Sequence, residues 1–243
     1  MPKTSGLGDN LYVSGVDVSN DIGSLKQIGS PIKLLPMTGI DKAAYERVVG
    51  IRDGIIDFTS YFNPTVAHPV FSALPRTDVI VTYFRGTAIG NTGAAMVAKQ
   101  LSYDPKRGGD GSLTCDIECK ANAYGLEWGR QLTAGKRTDT TATNGSSFDQ
   151  TTVSTSFGWQ AYLQVFAVTG TSVTVTIQDS ANDSAFTNLS GGAFTAATGI
   201  TSQRLASGST DTVRRYVRVV TSGTFSNAVF SVLFVRNLAA VAF

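Results

Sequence analysis

The stretch Ser112-Leu-Thr-Cys-Asp-Ile-Glu-Cys-Lys-Ala-Asn122 alternates strictly between polar and apolar side chains. Because successive side chains of a β-strand point to opposite faces, this period of two predicts a strand with one buried face. The face predicted to be buried carries Leu113, Cys115, Ile117 and Cys119. The polar face carries Thr114, Asp116, Glu118 and Lys120. We expect the polar face to meet solvent, or to line an aqueous channel in which carboxylates repel the phosphates of DNA.

The two cysteines of the chain, Cys115 and Cys119, both belong to this predicted strand. Four residues of strand separate their Cα atoms by about 13 Å, whereas a disulfide tolerates only about 7 Å. We therefore expect two buried thiols rather than a disulfide, as in a protein made in a reducing cytoplasm.

The composition of the 243 residues favours an all-β protein. Charged residues make up 16% of the chain, below the roughly 25% of an average globular protein, and threonine, serine and glycine are abundant. Threonine suits a pleated surface, and serine and glycine suit turns. The net charge of +2 is spread evenly, so we expect no tight nucleic-acid binding. The longest apolar run, Leu238–Phe243, is too short to span a membrane, and residues 1–10 are too polar for a signal peptide.

Residues 1–140 are predicted to form a β domain with one short helix. The domain opens with a strand at Asn10–Ser19, followed by a long irregular loop, 21–54, with one helical turn at Asp41–Val48. Prolines frame the single predicted helix, Ala67–Leu74. Further strands are predicted at Ile55–Phe62, at Asp78–Arg85 and in a long hairpin, 95–123, formed by Ala95–Tyr103 and Ser112–Ala123.

The composition changes near Arg137, after which the chain has no lysine and no glutamate. Residues 141–155 are polar and threonine-rich without an apolar period, which predicts a linker. Residues 156–243 then form a second domain, predicted to be a β-sandwich. Its main strands are predicted at Trp159–Val168, Ser172–Gln178, Arg214–Thr221 and Ala228–Arg236. The predicted fold is therefore all-β with one short helix, in two domains.

No group of residues indicates catalysis, a metal site or a cofactor. His68 is the single histidine, so neither a histidine-based zinc site nor a histidine-containing catalytic triad is expected, and a surface or capping role is favoured. The turn 104–111 lacks the ligand spacing of a calcium loop. An aromatic set that includes Trp159 and Tyr162 suits a sandwich core better than a sugar-binding platform. We expect a protein that is not an enzyme.

Several short strings spread over nearly the whole chain carry a family resemblance. They include Leu7-Gly-Asp-Asn-Leu-Tyr-Val13, Asp21-Ile-Gly-Ser24, Thr38-Gly-Ile-Asp-Lys42, Gly125–Arg137 (GLEWGRQLTAGKR), Trp159–Phe166 (WQAYLQVF) and Arg215–Val219 (RYVRV). Together they resemble the major tail tube proteins of long-tailed, siphovirus-type bacteriophages of actinobacteria.

The resemblance implies a structural protein of the virion tail. Subunits similar to this one form hexameric rings, and the rings stack head to tail into a tube whose lumen conducts the viral DNA without binding it specifically. The tape measure and tail terminator proteins are the expected partners. The first domain would then be a tail-tube-type two-sheet domain, and the second domain would decorate the outside of the tube.

The resemblance also implies roles for three groups of residues. Thr114, Asp116, Glu118 and Lys120 would face the lumen. The loop 21–54 would contact the next ring, through Thr38, Asp41, Lys42, Tyr45, Arg47, Arg52 and Asp53. The apolar run at Leu238, Val241 and Phe243 would contact a neighbouring subunit.

Two other functions remain open at the level of the sequence. One is a capsid decoration protein, which would trimerise or bind the capsid lattice. The other is a cell-surface carbohydrate-binding module carried by residues 156–243. A monomeric sugar binder needs neither the long loop 21–54 nor an exposed apolar edge. The tail tube reading predicts that removing residues 36–53 stops tube growth, and that removing residues 146–243 leaves a thinner tube.

Overall fold

A computed structural model describes residues 5–152 and 155–240. The strands of the described residues are β1 (Asn10–Val13), β2 (Val16–Asp17), β3 (Ile22–Gly29), β4 (Ile32–Pro36), β5 (Arg47–Arg52), β6 (Ile55–Tyr61), β7 (Val79–Phe84), β8 (Thr92–Gln100), β9 (Asp104–Arg107), β10 (Leu113–Ala121), β11 (Glu127–Gln131), β12 (Arg137–Asp139), β13 (Phe148–Asp149), β14 (Trp159–Ser180), β15 (Thr187–Ala193), β16 (Thr201–Ala206) and β17 (Tyr216–Arg236). One α-helix, α1 (Ala67–Ser72), and one 3-10 turn (Ser19–Asp21) accompany them. The prediction of an all-β fold with one short helix is confirmed.

One antiparallel sheet runs through both halves of the chain, which we define as residues 5–152 and residues 155–240. Its main path is β15-β14-β17-β11-β8-β10-β6-β3, with β7 and β1 continuing from β8 and with β12 and β13 paired to β17. The strands β4 and β5 form a separate two-stranded sheet. The two halves are therefore joined by backbone hydrogen bonds, because β17 of the second half pairs with β11 of the first.

The core of the first half confirms the alternation predicted for β10. Cys115, Ile117 and Cys119 are buried in one cluster with Phe58 of β6 and Phe71 of α1, whereas Leu113, predicted to lie on the same buried face, is 38% exposed at the start of the strand. Both cysteines are free thiols, and burial raises the pKa of the Cys119 thiol to about 12. These thiols pack as small apolar side chains beneath the helix.

The core of the second half is built on two long strands, β14 and β17. The sequence pattern predicts each of them as two shorter strands. β14 and β17 pair along almost their whole length, with register shifts between Val165 and Ala167 and around Gly170. At Gly170 φ is +129°, and an added Cβ would lie 2.6 Å from the Cα of Phe225. Bulges bend and twist a strand without ending it. Residues 169–171, which separate the predicted strands Trp159–Val168 and Ser172–Gln178, therefore lie at a bend within one strand.

A third cluster of buried side chains joins the two halves. Tyr12 of β1 meets the ring of Phe166 of β14 edge-on, with centroids 4.9 Å apart, in a cluster that also includes Tyr162 and Leu233. The buried Gln164 amide donates to the carbonyl of Ile80 at 3.0 Å and accepts from a backbone N–H of the first half at 2.6 Å. The junction between the halves is therefore part of the protein interior. Its centre is apolar, and the polar side chain at its edge, Gln164, is hydrogen-bonded.

A buried ionic group closes the same junction. The Arg204 guanidinium lies 3.2 Å from the Glu127 carboxylate and 3.7 Å from the centre of the Tyr124 ring. The Tyr162 hydroxyl donates to Glu127 at 2.5 Å. Glu127 and Tyr124 belong to the first half, and the other two residues to the second. Removing either half would leave a charge without its partner.

The segment predicted to be a linker lies on β17. β12 and β13 pair with β17, and Asn144 forms an isolated bridge with Val220 between them. The Arg137 side chain also donates to the Val219 carbonyl at 2.9 Å. Residues 137–149 are thus held by hydrogen bonds, and the division into domains at 141–155 stays a prediction.

The region predicted to be an irregular loop, 21–54, consists largely of strands. β3 pairs with β6, and β4 and β5 form a hairpin in place of the helical turn expected at Asp41–Val48. The β-branched run in Arg47–Arg52 favours a strand. The Thr38 hydroxyl accepts from the Glu46 N–H at 3.1 Å, which closes the loop between the strands. The helical turn was wrong because cross-strand pairing outweighed a possible N-cap.

The strand expected at Asn10–Ser19 is a tight hairpin of β1 and β2. Ser14 and Gly15 both have positive φ, 48° and 81°, as a two-residue turn of this kind requires. An added Cβ at Gly15 would lie 2.6 Å from the Val165 carbonyl oxygen. The turn therefore needs a glycine both for its backbone angles and for its close approach to β14.

Candidate assembly surfaces

The polar face of the first half spans β3, β6, β10 and β9. The four residues predicted to face a lumen lie together on it: Thr114, Asp116, Glu118 and Lys120, all partly exposed. They lie opposite Tyr61, Thr59, Asp57 and Ile55 of β6, respectively. The structure therefore places the four predicted residues on one face, and a lumen beside that face stays a prediction.

Asp116 is the centre of an ionic network on this polar face. Its carboxylate accepts from Lys106 of β9 at 2.5 Å, from the Thr59 hydroxyl at 2.8 Å and from Lys26 of β3. These donors hold the pKa of Asp116 well below its usual range. Three other strands, β3, β6 and β9, are thereby tied to β10 through one side chain.

Asp57 and Glu118 are direct cross-strand partners on the same face. Like charges in this position repel, and partial burial of the Asp57 carboxylate also disfavours its charged form. Both effects, burial first, raise the pKa of Asp57, against the opposing influence of Lys120 and Lys26. Because Asp116 and Asp57 are shifted in opposite directions, they are expected to affect stability with opposite sign.

Asp116→Asn is expected to lower the melting temperature at pH 7, and the loss should shrink as the pH falls below about 4. The sign follows from linkage: a carboxyl whose folded pKa is depressed stabilises the fold above its unfolded pKa, and that contribution disappears on protonation. Thermal unfolding between pH 2.5 and 7 would measure it.

The matched control for this prediction is Asp57→Asn, on the same face. Its folded pKa is raised, so the wild-type carboxylate costs stability once the pH exceeds its unfolded pKa. This variant should therefore melt higher than the wild type at pH 7 and like it at acid pH. Melting temperatures that move in the same direction for both variants at pH 7 would contradict the account.

The second surface is the hairpin of β4 and β5, which we call the apolar hairpin, residues 32–52. All of its residues except Gly50 are exposed. Large apolar side chains make up much of this exposed surface: Ile32, Leu34, Leu35, Met37, Ile40, Tyr45, Val48, Val49 and Ile51. An isolated two-stranded hairpin is at best marginally stable in water, and an exposed apolar surface of this kind marks an interaction site.

The polar residues predicted to contact the next ring lie in and beside this hairpin. Thr38, Asp41, Lys42, Tyr45, Arg47, Arg52 and Asp53 are all exposed. Lys42 lies 3.7 Å from Glu46, and the Arg47 guanidinium lies 5.0 Å from the centre of the Tyr45 ring. Their contacts within the hairpin are thus weak surface interactions. Most of the apolar side chains lie outside this predicted set, although the two apolar runs IKLLP and RVVGIR, joined by a segment that contains Gly39 and Asp41, are typical of a hairpin.

The apolar run near the end of the sequence is only partly described. Leu238 is exposed, and Ala240 borders an open groove at the base of the apolar hairpin, beside Tyr124 and Gly125. Val241 and Phe243, also predicted to contact a neighbouring subunit, lie outside the described residues.

The residues considered for chemistry have structural contacts. His68 Nδ1 lies 2.8 Å from the Tyr103 hydroxyl, and its ring packs beside Phe62 with centroids 4.9 Å apart. Trp159 and Tyr162 are buried in the core, as favoured over a sugar-binding platform. Among residues 5–152 and 155–240, no group of three or more histidine, cysteine, aspartate or glutamate side chains is arranged to hold a metal ion. Nor does any helix there have the length and apolarity needed to cross a membrane.

Known proteins provide little further guidance. Neither a protein-family model nor a curated protein sequence matches the chain. Among solved structures, the chain is similar to the Dit protein of phage SPP1, described as a paradigm of the hub adsorption apparatus in phages that infect Gram-positive bacteria. The two are 11% identical, with a TM-score of 0.33 over 94% of this chain and 99% of the other. A likeness at this level carries no argument about function.

Proposed function

We propose that this chain is a structural subunit of a bacteriophage tail tube rather than an enzyme, and that its copies form hexameric rings stacked around a DNA-conducting lumen. The observation that carries the proposal is the apolar hairpin 32–52, an exposed arm whose large apolar side chains need a partner. Such an arm suits contact between successive rings. The sequence strings that resemble tail tube proteins support the same assignment.

The polar face of β3, β6, β10 and β9 suits the wall of the lumen. Its lysines are engaged by carboxylates: Lys26 and Lys106 by Asp116, and Lys120 by Glu118 at 3.5 Å. Amines neutralised in this way attract phosphates weakly, and the carboxylates oppose close approach. DNA would therefore pass along this face without being held by it. The tape measure and tail terminator proteins are the expected partners in the virion tail.

Electron microscopy of the concentrated full-length protein would test the proposal directly. We expect hollow tubes or stacked rings, each ring with outer projections formed by the second half of the chain. Closed trimers would instead favour a capsid decoration protein. Monomers that bind immobilised glycans would favour the carbohydrate-binding alternative. Either of these last two results would overturn the tail tube assignment.

Removal of the apolar hairpin should stop tube growth without unfolding the subunit. Ile32 and Arg52 are paired across the base, so an Asn-Gly turn can replace residues 33–51 with little change to the remaining chain. The variant should melt close to the wild-type temperature and form no tubes under conditions in which the wild type does. Tubes of normal length from this variant would refute the assignment of the hairpin to ring stacking.

A further inference from the structure

A second groove lies where β11 of the first half pairs with β17 of the second. Residues 128–130 of β11 line one side of it and residues 148–152 line the other, and we call it the Trp128 groove. Its volume is about 610 Å³, which is typical of a small-ligand site. The larger groove at the base of the apolar hairpin belongs to the surface already proposed for ring stacking.

Contacts at both ends hold the two sides of the Trp128 groove together. At one end the Phe148 ring lies so close to Gly90 that a Cβ added there would be 2.4 Å from the ring. At the other end the Arg236 guanidinium of β17 donates to the Thr152 hydroxyl. The groove therefore has its shape before any ligand binds, which lowers the entropy cost of binding.

An exposed indole and an exposed guanidinium lie side by side in this groove. Trp128 is 50% exposed, and Arg130 follows two residues later on β11, so both side chains point to the same face of the sheet. Arg130 Nη1 donates to the Gly90 carbonyl at 3.3 Å and to the Thr92 hydroxyl at 3.1 Å. Its Nε and Nη2 donate to none of the described residues. This edge of a guanidinium can hold a carboxylate through two parallel hydrogen bonds.

The opposite side of the groove presents uncharged polar groups on a strained turn. The φ angle of Thr151 is +62°, which a β-branched residue rarely adopts, and across it the Thr152 N–H donates to the Gln150 carbonyl at 2.7 Å. Strained backbone of this kind is concentrated at functional sites. The Nε2 atom of Gln150 is buried without an acceptor among the described residues. Turning this amide into the groove would therefore cost Nε2 no hydrogen bond, and a ligand could supply one.

The charges that line the groove favour an anionic ligand. Among the described residues that line it, Arg130 and Arg236 are basic and Asp149 is acidic. Asp149 accepts two hydrogen bonds from Arg215, at 2.7 Å each, which balance its charge. The groove thus carries an excess of guanidinium groups, and these are suited to carboxylates.

We propose that the Trp128 groove binds an acidic saccharide, a sugar whose ring carries a carboxylate, as in a uronic acid. The apolar C–H face of the ring would stack on the Trp128 indole, and its carboxylate would bind the outer edge of Arg130. Its hydroxyl groups would bond to Gln150, Thr151 and Thr152. A wholly apolar ligand would leave these polar groups without partners. The site is independent of the proposed tube function.

Tryptophan fluorescence of the full-length protein can follow binding. The chain has two tryptophans, and Trp159 is 1% exposed, so acrylamide should quench mainly Trp128. The probes are oligomers of galacturonic acid and of mannuronic acid, each with its methyl ester as the uncharged match. We expect an acid to protect Trp128 from acrylamide and to bind about tenfold more tightly than its ester. No protection by either acid, or equal affinity for acid and ester, would overturn the proposal.

Variants assign the binding to the groove. Affinity for the immobilised acid should fall about tenfold or more in Trp128→Ala and in Arg130→Gln, whereas Arg76→Gln, at an exposed arginine outside the groove, should bind like the wild type. Melting temperatures near the wild-type value would show that the variants are folded. Unchanged affinity in Arg130→Gln would overturn the site. So would a wild type that binds no acid while Trp128→Ala stops tube assembly, because the groove would then be a contact between subunits. Failure of the wild type to form tubes would overturn the tube function alone.

Discussion

A chain that ends at residue 145 is expected to show no cooperative unfolding transition. Truncation removes β17, so β11 loses its neighbour and becomes an edge of the sheet. It also uncovers the junction between the halves, where Tyr12, Phe84 and Ile80 pack against Tyr162 and Leu233. Burial of each large apolar side chain contributes about 1.5–3 kcal/mol, whereas a whole domain is stable by about 5–15 kcal/mol. Exposure of this cluster would therefore cancel most of the free energy of unfolding.

Polar groups left behind by the truncation add to the loss. Glu127 would lose Arg204 and the Tyr162 hydroxyl, and the backbone of Ile80 would lose the Gln164 amide. These groups would then lie on a newly exposed surface that, in the full chain, is complementary in shape to the second half. The thinner tube expected from the sequence is therefore not the outcome that these contacts favour.

Thermal unfolding followed by circular dichroism, together with binding of a dye that reports exposed apolar surface, would measure the effect. The control is a chain divided within 150–156, with pieces 1–152 and 153–243 expressed together. Thr151 and Thr152 are exposed and follow the pairing of β13, so a cut after Thr152 leaves that pairing and the buried clusters intact. We expect the two pieces to associate and unfold cooperatively. A sharp transition from residues 1–145 alone would show that the first half is an independent domain.

The sequence was sufficient to predict elements whose pattern is local. The alternation of β10 predicted both its buried thiols and its polar face, because side-chain direction in a strand depends only on position. The helix between Pro64 and Pro75 was predicted by its flanking prolines. In both cases the information lies within about ten residues, and no distant partner is needed to determine the outcome.

Features set by distant partners could not be predicted in this way. Asp116 is charged in any reading of the sequence, but its network with Lys26 and Lys106 depends on which strands become neighbours. Likewise, Gln164 looks like an ordinary polar residue of a strand until the β1–β2 turn is placed against it. Alternation along the sequence predicts which face of a strand a side chain occupies. The order of strands in the sheet determines which residues that face contacts.

Asp139→Ala is expected to destabilise the protein by about 3–5 kcal/mol, the range found when one partner of a buried ion pair is removed. The Asp139 side chain is 3% exposed and that of Arg137 15%. Arg137 donates to both carboxylate oxygens, at 2.8 and 2.7 Å, and the Thr221 hydroxyl donates to one of them at 2.6 Å. The alanine variant would leave the Arg137 guanidinium without a carboxylate and with backbone carbonyls as its acceptors, would remove the short contact from Thr221, and would loosen the segment that follows β12 from β17.

The chain contains a matched control in Asp149→Ala. Arg215 donates to both oxygens of Asp149 at 2.7 Å, the same bidentate geometry, but these side chains are 39% and 42% exposed. Water replaces the lost partner at an exposed pair, so this variant should destabilise the protein much less than Asp139→Ala does. Urea unfolding of both variants would measure the difference, and a double-mutant cycle with Arg137→Ala would isolate the pair from the lost Thr221 contact. Equal losses at the two sites would show that burial of Arg137 and Asp139 does not set the strength of the contact.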